Sequence, residues 1–97
     1  MAPESGVYAI SVAAEMVSME IQNLRVYERR GLVAPARTAG GTRRYSAADI
    51  ARLHRIRELL AEGLNLAGIA RVLDLEAEVA RLRADNRRLR GPRRDTP

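Results

Sequence analysis

The side chains of this 97-residue sequence best suited to chemistry are amides and guanidiniums rather than nucleophiles. Gln22 and Asn23 stand together and are followed by Arg25, Val26, Tyr27, Arg29 and Arg30. A second group, Arg37, Thr42, Arg43, Arg44 and Tyr45, surrounds the pair Gly40-Gly41. Carboxamides pair bidentately with adenine, and a guanidinium fork fits phosphate or guanine. Val26 could meet a thymine methyl. The chemistry on offer is therefore recognition of a polyanion. No paired carboxylates, nucleophile–base set or phosphate-binding loop appears, so no enzymatic activity is expected. With no cysteine, disulfides, zinc fingers and thiol sensing are excluded, and the one histidine, His54, cannot build a metal site alone.

Charge points the same way. The chain has 17 basic and 12 acidic residues, a net charge of +5. That balance favours nucleic acid first and an anionic membrane surface second. All 17 basic residues are arginine, a bias that a GC-rich genome would also produce, so placement must carry the argument. Six arginines fall from Arg25 to Arg44. A lone helix arginine is ordinarily a solvated surface charge, but a cluster of this kind reads poorly that way. No apolar run approaches the roughly 18 residues of a membrane span, and no signal-peptide pattern opens the chain. A soluble, intracellular protein is expected. Three tyrosines with no Phe or Trp imply an aliphatic core and argue against an aromatic platform for single strands.

The elements that must position these groups can be read from punctuation and periodicity. Residues 1–6 read as a flexible leader, and Val7 to Ile10 as a short extended stretch able to pair at a sheet edge. Ser11 is placed to cap a helix running from Val12 to about Ser18, with Val12, Met16 and Val17 inward. A second helix, about Glu20 to Arg30, turns Ile21, Leu24 and Tyr27 to the core and the polar set outward, and Gly31 ends it. Two short helices joined by a tight turn make a helix-turn-helix. The Gly-Gly pair suits a hairpin tip, and Ser46-Ala-Ala-Asp49 reads as a capping box opening a helix with Ile50, Leu53, Ile56 and Leu60 inward. Gly63 ends that helix. Asn65 can cap the last one, with Ile69, Val72 and Leu73 inward.

Beyond the domain the last helix keeps an apolar strip. Val72, Leu75, Val79, Leu82, Asn86 and Leu89 alternate three and four apart, an a/d heptad seam of under three heptads. Nothing else in the chain is available to cover it, so a homodimer through the same helix is the expected outcome. The organisation predicted is a DNA-binding domain over residues 7–74, a dimerisation helix over 75–90 and a basic disordered tail over 91–97.

These blocks together resemble a known family. Ile10-Ser-Val-Ala-Ala-Glu15, Leu24-Arg-Val-Tyr-Glu-Arg-Arg-Gly-Leu-Val33-Ala-Pro35 and Arg43-Arg-Tyr-Ser-Ala-Ala-Asp-Ile50 are similar to the MerR superfamily of bacterial regulators, and Gly63 to Ile69 continues the match. Within it, Val7-Tyr-Ala-Ile-Ser11, the Gly41-Thr-Arg-Arg-Tyr-Ser46 segment and Leu64-Asn-Leu-Ala-Gly-Ile69 look most like the HspR-type heat-shock repressors. The resemblance implies a mainly α, winged helix-turn-helix fold with a C-terminal dimerisation helix forming a short coiled coil. It also implies a repressor of chaperone genes that binds double-stranded DNA at an inverted repeat, with a DnaK-type chaperone as candidate co-repressor, in the bacterial cytoplasm and nucleoid.

On this resemblance Gln22 and Asn23 face base edges. Arg25 and Tyr27 contact phosphate, extended by Arg29 and Arg30, while Arg37, Thr42, Arg43, Arg44 and Tyr45 form the wing's backbone contacts. Tyr27 could equally be a core residue, and Tyr45 could pack under the hairpin. Glu28 should orient a nearby arginine, since a carboxylate facing phosphate is repelled. Two residues depart from the family pattern: Val26 replaces the first of two adjacent tyrosines, and Thr42-Arg43-Arg44 stands where many members have Gly-Tyr-Arg. Larger relatives carry a sensing domain after the dimerisation helix; with no cysteine and about twenty-two residues after Leu75, no metal, cofactor or small-molecule effector is expected. Dimers of the family use antiparallel helices, whereas Asn at an a position is better attested in parallel pairs, so direction stays open. Two other function classes are open as well: an excisionase-like architectural DNA-bending protein, and a protein or RNA interaction module acting through the basic tail.

Overall fold

A computed structural model describes residues 7–91 of the chain; the leader and the tail beyond Gly91 lie outside the described residues. In the extended stretch at the start the bridge is made by Tyr8, which pairs with Tyr45 in antiparallel fashion, Tyr8 N donating to Tyr45 O at 2.9 Å and Tyr45 N to Tyr8 O at 2.7 Å. Helix α1 then starts earlier than Ser11 allows. It spans Ile10–Val17 behind Ala9, whose extended backbone (φ −68°, ψ 161°) serves as the N-cap without a side-chain bond. The inward face also differs from expectation. Ala13, Ala14 and Val17 are buried, whereas Val12 and Met16 are exposed. Small alanines permit close approach where α1 packs on α2 and α3.

The turn between α1 and α2 is closed by Ser18 in the left-handed region (φ 56°, ψ 46°). Ser18 N donates to Glu15 O and Met19 N to Ala14 O, a Schellman closure built on a non-glycine residue. Helix α2 covers Ile21–Arg29, with Leu24 and Tyr27 buried and Ile21 at the surface. It ends as expected. Gly31 has φ 75°, its N–H donates to Glu28 O, and Leu32 N donates to Tyr27 O.

Strands β1 (Ala36–Arg37) and β2 (Arg43–Arg44) pair antiparallel, Ala36 with Arg44 and Arg37 with Arg43. Thr38 N donates to Thr42 O and Gly41 N to Thr38 O, so the tip is a three-residue loop. Of the two glycines only Gly41, at φ 86°, needs the left-handed conformation, as in a type I turn with a following bulge. Helix α3, Ala47–Ala61, opens with the predicted capping box. Ser46 Oγ accepts from Asp49 N, and an Asp49 carboxylate oxygen accepts from Ser46 N. Its inward face is Ile50, Leu53, Ile56 and Leu59; Leu60 is only half-buried. Stepping three residues from Ile56 selects Leu59, stepping four selects Leu60, and packing chose the former.

The chain divides into two compact units, Met1–Gly63 and Leu64–Pro97. In the second, helix α4 runs from Leu66–Arg90 without interruption, capped by Asn65, whose side chain accepts from Gly68 N at 2.8 Å. No break in the backbone marks residue 74. Ile69 and Leu73 are buried and Val72 half-buried, while Leu75, Val79, Leu82 and Leu89 are exposed. The last turn holds Arg87, Arg88 and Arg90, the sign that suits the negative end of a helix dipole.

Candidate nucleic-acid interface

Helix α2 is two-sided. Leu24 and Tyr27 fix one face in the core, and residues 22, 25, 26 and 29 recur at i, i+3, i+4 and i+7 along another. Gln22, Asn23, Arg25, Arg29 and Arg30 are exposed, and Val26 is half-buried among them. The side chains of Arg25, Arg29 and Arg30 make no hydrogen bond or ion pair among the described residues. The face thus presents two amides and three uncommitted guanidiniums on a rigid support.

The wing is tied to this helix by Glu28. Its carboxylate accepts from Arg37 Nη2 at 2.9 Å and from Arg43 Nε. Arg37 and Arg43 are direct cross-strand partners and lie on the same face of the ribbon, where like charges repel. A carboxylate held between them turns that repulsion into a bridge. Partial burial alone would raise the Glu28 pKa, but the hydrogen bonds from Arg43 and Arg37 outweigh it and hold the carboxyl below its ordinary value of 4.5. The same hydrogen bond raises the pKa of Arg43 further. Arg37 Nη1 also donates to Gly41 O at 2.9 Å, so one side chain reaches both α2 and the hairpin tip. Arg44, one residue along the strand, lies on the opposite face of the ribbon. It is half-buried and unpaired among the described residues. Thr42 is exposed, its N–H donating to Thr38 Oγ1 at 3.2 Å.

Two of the tyrosines named from sequence belong to the core. Tyr45 is 0% exposed, which corrects its assignment as a wing contact. The bridge to Tyr8 and the adjacent Ser46 cap fix its backbone at the base of the wing, with the side chain inward. Its hydroxyl is the one buried side-chain polar atom without a hydrogen-bond partner among the described residues. Burial, and then the Glu28 charge, raise its pKa, so the phenol stays neutral. Tyr27 is 5% exposed, and burial raises its pKa too, so its ring is core rather than an open phosphate contact.

One contact carried no sequence signal. Arg52 on α3 donates from Nε to Leu32 O, tying the segment after α2 to the third helix. An arginine that caps a distant carbonyl is spelled like any surface arginine. On α4, Val72, Leu75, Val79 and Leu82 lie on one apolar strip, with a shallow groove lined by Val72, Leu75, Val79 and Ala80 between Glu76 and Arg83. Asn86 and Leu89 continue the strip and are exposed.

A helix-turn-helix whose second helix is polar on its free face, followed by a two-stranded ribbon rich in arginine, defines the winged helix-turn-helix class. Residues 8–76 match the MerR HTH family of regulatory proteins, and the chain belongs to that family. It is 52% identical over 82 residues to a putative heat shock protein HspR of Streptomyces coelicolor, covering 84% of this chain and 54% of that protein. The chain spans about half the length of the curated relatives it matches first. Among solved structures, HiNmlR, a MerR family regulator lacking the sensor domain and bound to promoter DNA, superposes with a TM-score of 0.67 at 28% identity, over 72% of this chain and 54% of that one. The N-terminal part of MtaN, the Bacillus subtilis multidrug transporter activator, does so with a TM-score of 0.67 at 29% identity, over 86% and 88%.

Proposed function

We propose that this chain is an HspR-like transcriptional repressor that binds an inverted-repeat operator in double-stranded DNA as a homodimer. The observation that carries the proposal is the pairing of a free polar face on α2 with a wing clamped to the same helix by Glu28. Helix α2 enters the major groove, where Gln22 and Asn23 read base edges and Val26 meets a thymine methyl. Arg25, Arg29 and Arg30 take flanking phosphates, and Thr42 and Arg44 extend the grip from the wing. Tyr27, its ring held in the core, offers the backbone only its hydroxyl. Dimerisation uses Val72, Leu75, Val79, Leu82, Asn86 and Leu89. The likeness to HspR supports heat-shock or chaperone genes as the regulon and a DnaK-type chaperone as co-repressor. The protein performs no catalytic step, requires no cofactor or small-molecule effector, and works in the cytoplasm on the nucleoid.

Selection of bound duplexes from a random pool, followed by footprinting, tests this reading. One palindrome protected over a promoter supports it; spreading over direct repeats overturns it in favour of an architectural role. Gln22→Ala and Asn23→Ala should relax the selected consensus while leaving binding to unrelated duplex nearly unchanged. If the consensus survives both, α2 is not the reading helix.

A further inference from the structure

In the second half of α4 the arginines divide into two lines. From Arg81 to Arg90 five arginines stand against one acid, Asp85. Arg81 donates to Glu78 at 2.9 Å and to Asp85 at 3.5 Å, and Arg88 donates to Asp85 at 2.9 Å. Residues 78, 81, 85 and 88 follow one another at three- and four-residue steps, so this line neutralises its own charge along one side of the helix. Arg83, Arg87 and Arg90 recur four and three apart on a different line. All three are exposed, and none has an ion pair among the described residues. With about 3.6 residues per turn, the apolar strip of α4 runs between the two lines.

We propose that Arg83, Arg87 and Arg90 form a second site for double-stranded DNA, separate from α2 and the wing, that takes backbone phosphates and reads no sequence. The site rests on duplex binding by the first unit, and not on which sequence α2 reads.

Spacing and charge suit that ligand. At a rise of about 1.5 Å per residue the three guanidiniums are spread over about 10.5 Å of helix axis. A duplex offers one phosphate per about 1.7 Å of its own axis, so a line of this length can find a phosphate for each fork. No carboxylate interrupts the line between Arg83 and Arg90; the acid preceding it, Glu76, lies two turns before Arg83. Compensation of the helix dipole accounts for Arg87 and Arg90 but not for Arg83, because that effect is confined to the last turn.

The choice of duplex over other polyanions follows from composition and tethering. Helix α4 has no aromatic side chain on which unpaired bases could stack, as a site for single-stranded RNA would need. The same lack, with Glu78 and Asp85 on the other flank of the apolar strip, fits an anionic membrane surface poorly. Duplex bound by the first unit, by contrast, is held at high effective concentration near the helix joined to it, so a few exposed arginines suffice.

Two full-length double variants test the assignment, because each removes two positive charges from the same stretch of helix. Arg87→Gln/Arg90→Gln strips the open line, and Arg81→Gln/Arg88→Gln strips the self-paired one. Arg83 is left in place because it borders the apolar groove proposed for dimerisation. Fluorescence anisotropy reads affinity from about 50 to 200 mM salt on operator and scrambled duplexes that extend well beyond the protected sequence. The open-line variant should lose about two from the salt slope per chain on both duplexes, so that the wild type's advantage shrinks roughly tenfold across that range. Its selected consensus should not change, and the self-paired variant should keep the wild-type slope. Equal losses from both variants would reduce the effect to net charge and overturn the assignment. Unchanged slopes in both would overturn it too, leaving solvated charges. A loss that appears together with dissociation to monomer in sedimentation would place the arginines in self-association instead. Retained duplex slopes with weakened binding to single-stranded RNA or to phosphatidylglycerol vesicles would hand the line to that ligand. A wild type that selects no palindrome but still binds scrambled duplex defeats the operator reading alone, and the salt comparison then proceeds on scrambled duplex.

Discussion

Replacing Tyr45 by phenylalanine removes a single oxygen from the centre of the first unit and asks two questions at once. The residue is 0% exposed and its hydroxyl meets no partner among the described residues. A buried polar group left unsatisfied costs about 1–3 kcal/mol relative to solvent. Tyr45→Phe relieves that cost, and the hole left by one oxygen takes back only a few tenths of a kcal/mol. No charge is lost, because burial holds the phenol neutral. The expected outcome is a gain of about 1 kcal/mol, seen as a rise of roughly 4–8 °C in melting temperature for a domain of this size. The second question is functional. If Tyr45 is core rather than wing contact, operator affinity measured by fluorescence anisotropy should be unchanged within about twofold, which corresponds to ~0.4 kcal/mol. A variant that melts lower would show that the hydroxyl has a partner, and a tenfold loss of affinity at unchanged stability would return Tyr45 to the interface.

Glu28→Gln removes the charge that holds Arg37 and Arg43 together. Binding to scrambled duplex should tighten and its salt slope steepen by about one or two per protomer, while the ratio of operator to scrambled affinity falls as the wing loses its tie to α2. Equal weakening on both duplexes would mean that the carboxylate only supports the fold. The same pair gives a pH signature. A carboxyl held below 4.5 contributes stability that is fully present above that value and is lost as pH falls through its lowered pKa. Thermal melts should therefore show wild type and Glu28→Gln separated at neutral pH and converging as the pH falls through the lowered Glu28 pKa. Ser18→Gly should stabilise the fold by roughly 0.5–1 kcal/mol. The left-handed backbone costs a non-glycine residue about 1–2 kcal/mol, and glycine's extra freedom when unfolded offsets part of the gain. A loss of stability in urea titrations would show that Ser18 contributes through its side chain.

The parts of this fold that were legible from sequence are those where one local rule decides. Ser46 and Asp49 satisfy each other, Gly31 and Gly41 supply positive φ, and Asn65 caps α4; each needs only a few neighbouring residues. Glu28 was legible for a similar reason, since a carboxylate among arginines has one sensible use. What failed required knowledge of the third dimension. Hydrophobicity alone selects Val12 and Met16 as the inner face of α1, but the helices meet over Ala13 and Ala14, whose small size matters more than their apolarity. Ser18 has nothing in its type to announce a left-handed turn. Tyr45 fits a phosphate contact or a core position equally well until the bridge to Tyr8 fixes the direction of its side chain.

Placement also sorts the arginines that composition could not. Of the six from Arg25 to Arg44, Arg37 and Arg43 are already committed to Glu28, and their charges are partly neutralised before any ligand arrives. Arg25, Arg29, Arg30 and Arg44 are uncommitted among the described residues. The first pair is therefore suited to holding the wing against α2, and the second group to meeting phosphate. Base contacts discriminate only when backbone contacts fix their register, so the reading proposed for Gln22 and Asn23 would depend on both sets of arginines. A bare tally of positive charge would rank all six alike. The geometry instead divides them into a hinge pin and a grip, and it places Glu28, the one acid among them, at the point where the two meet.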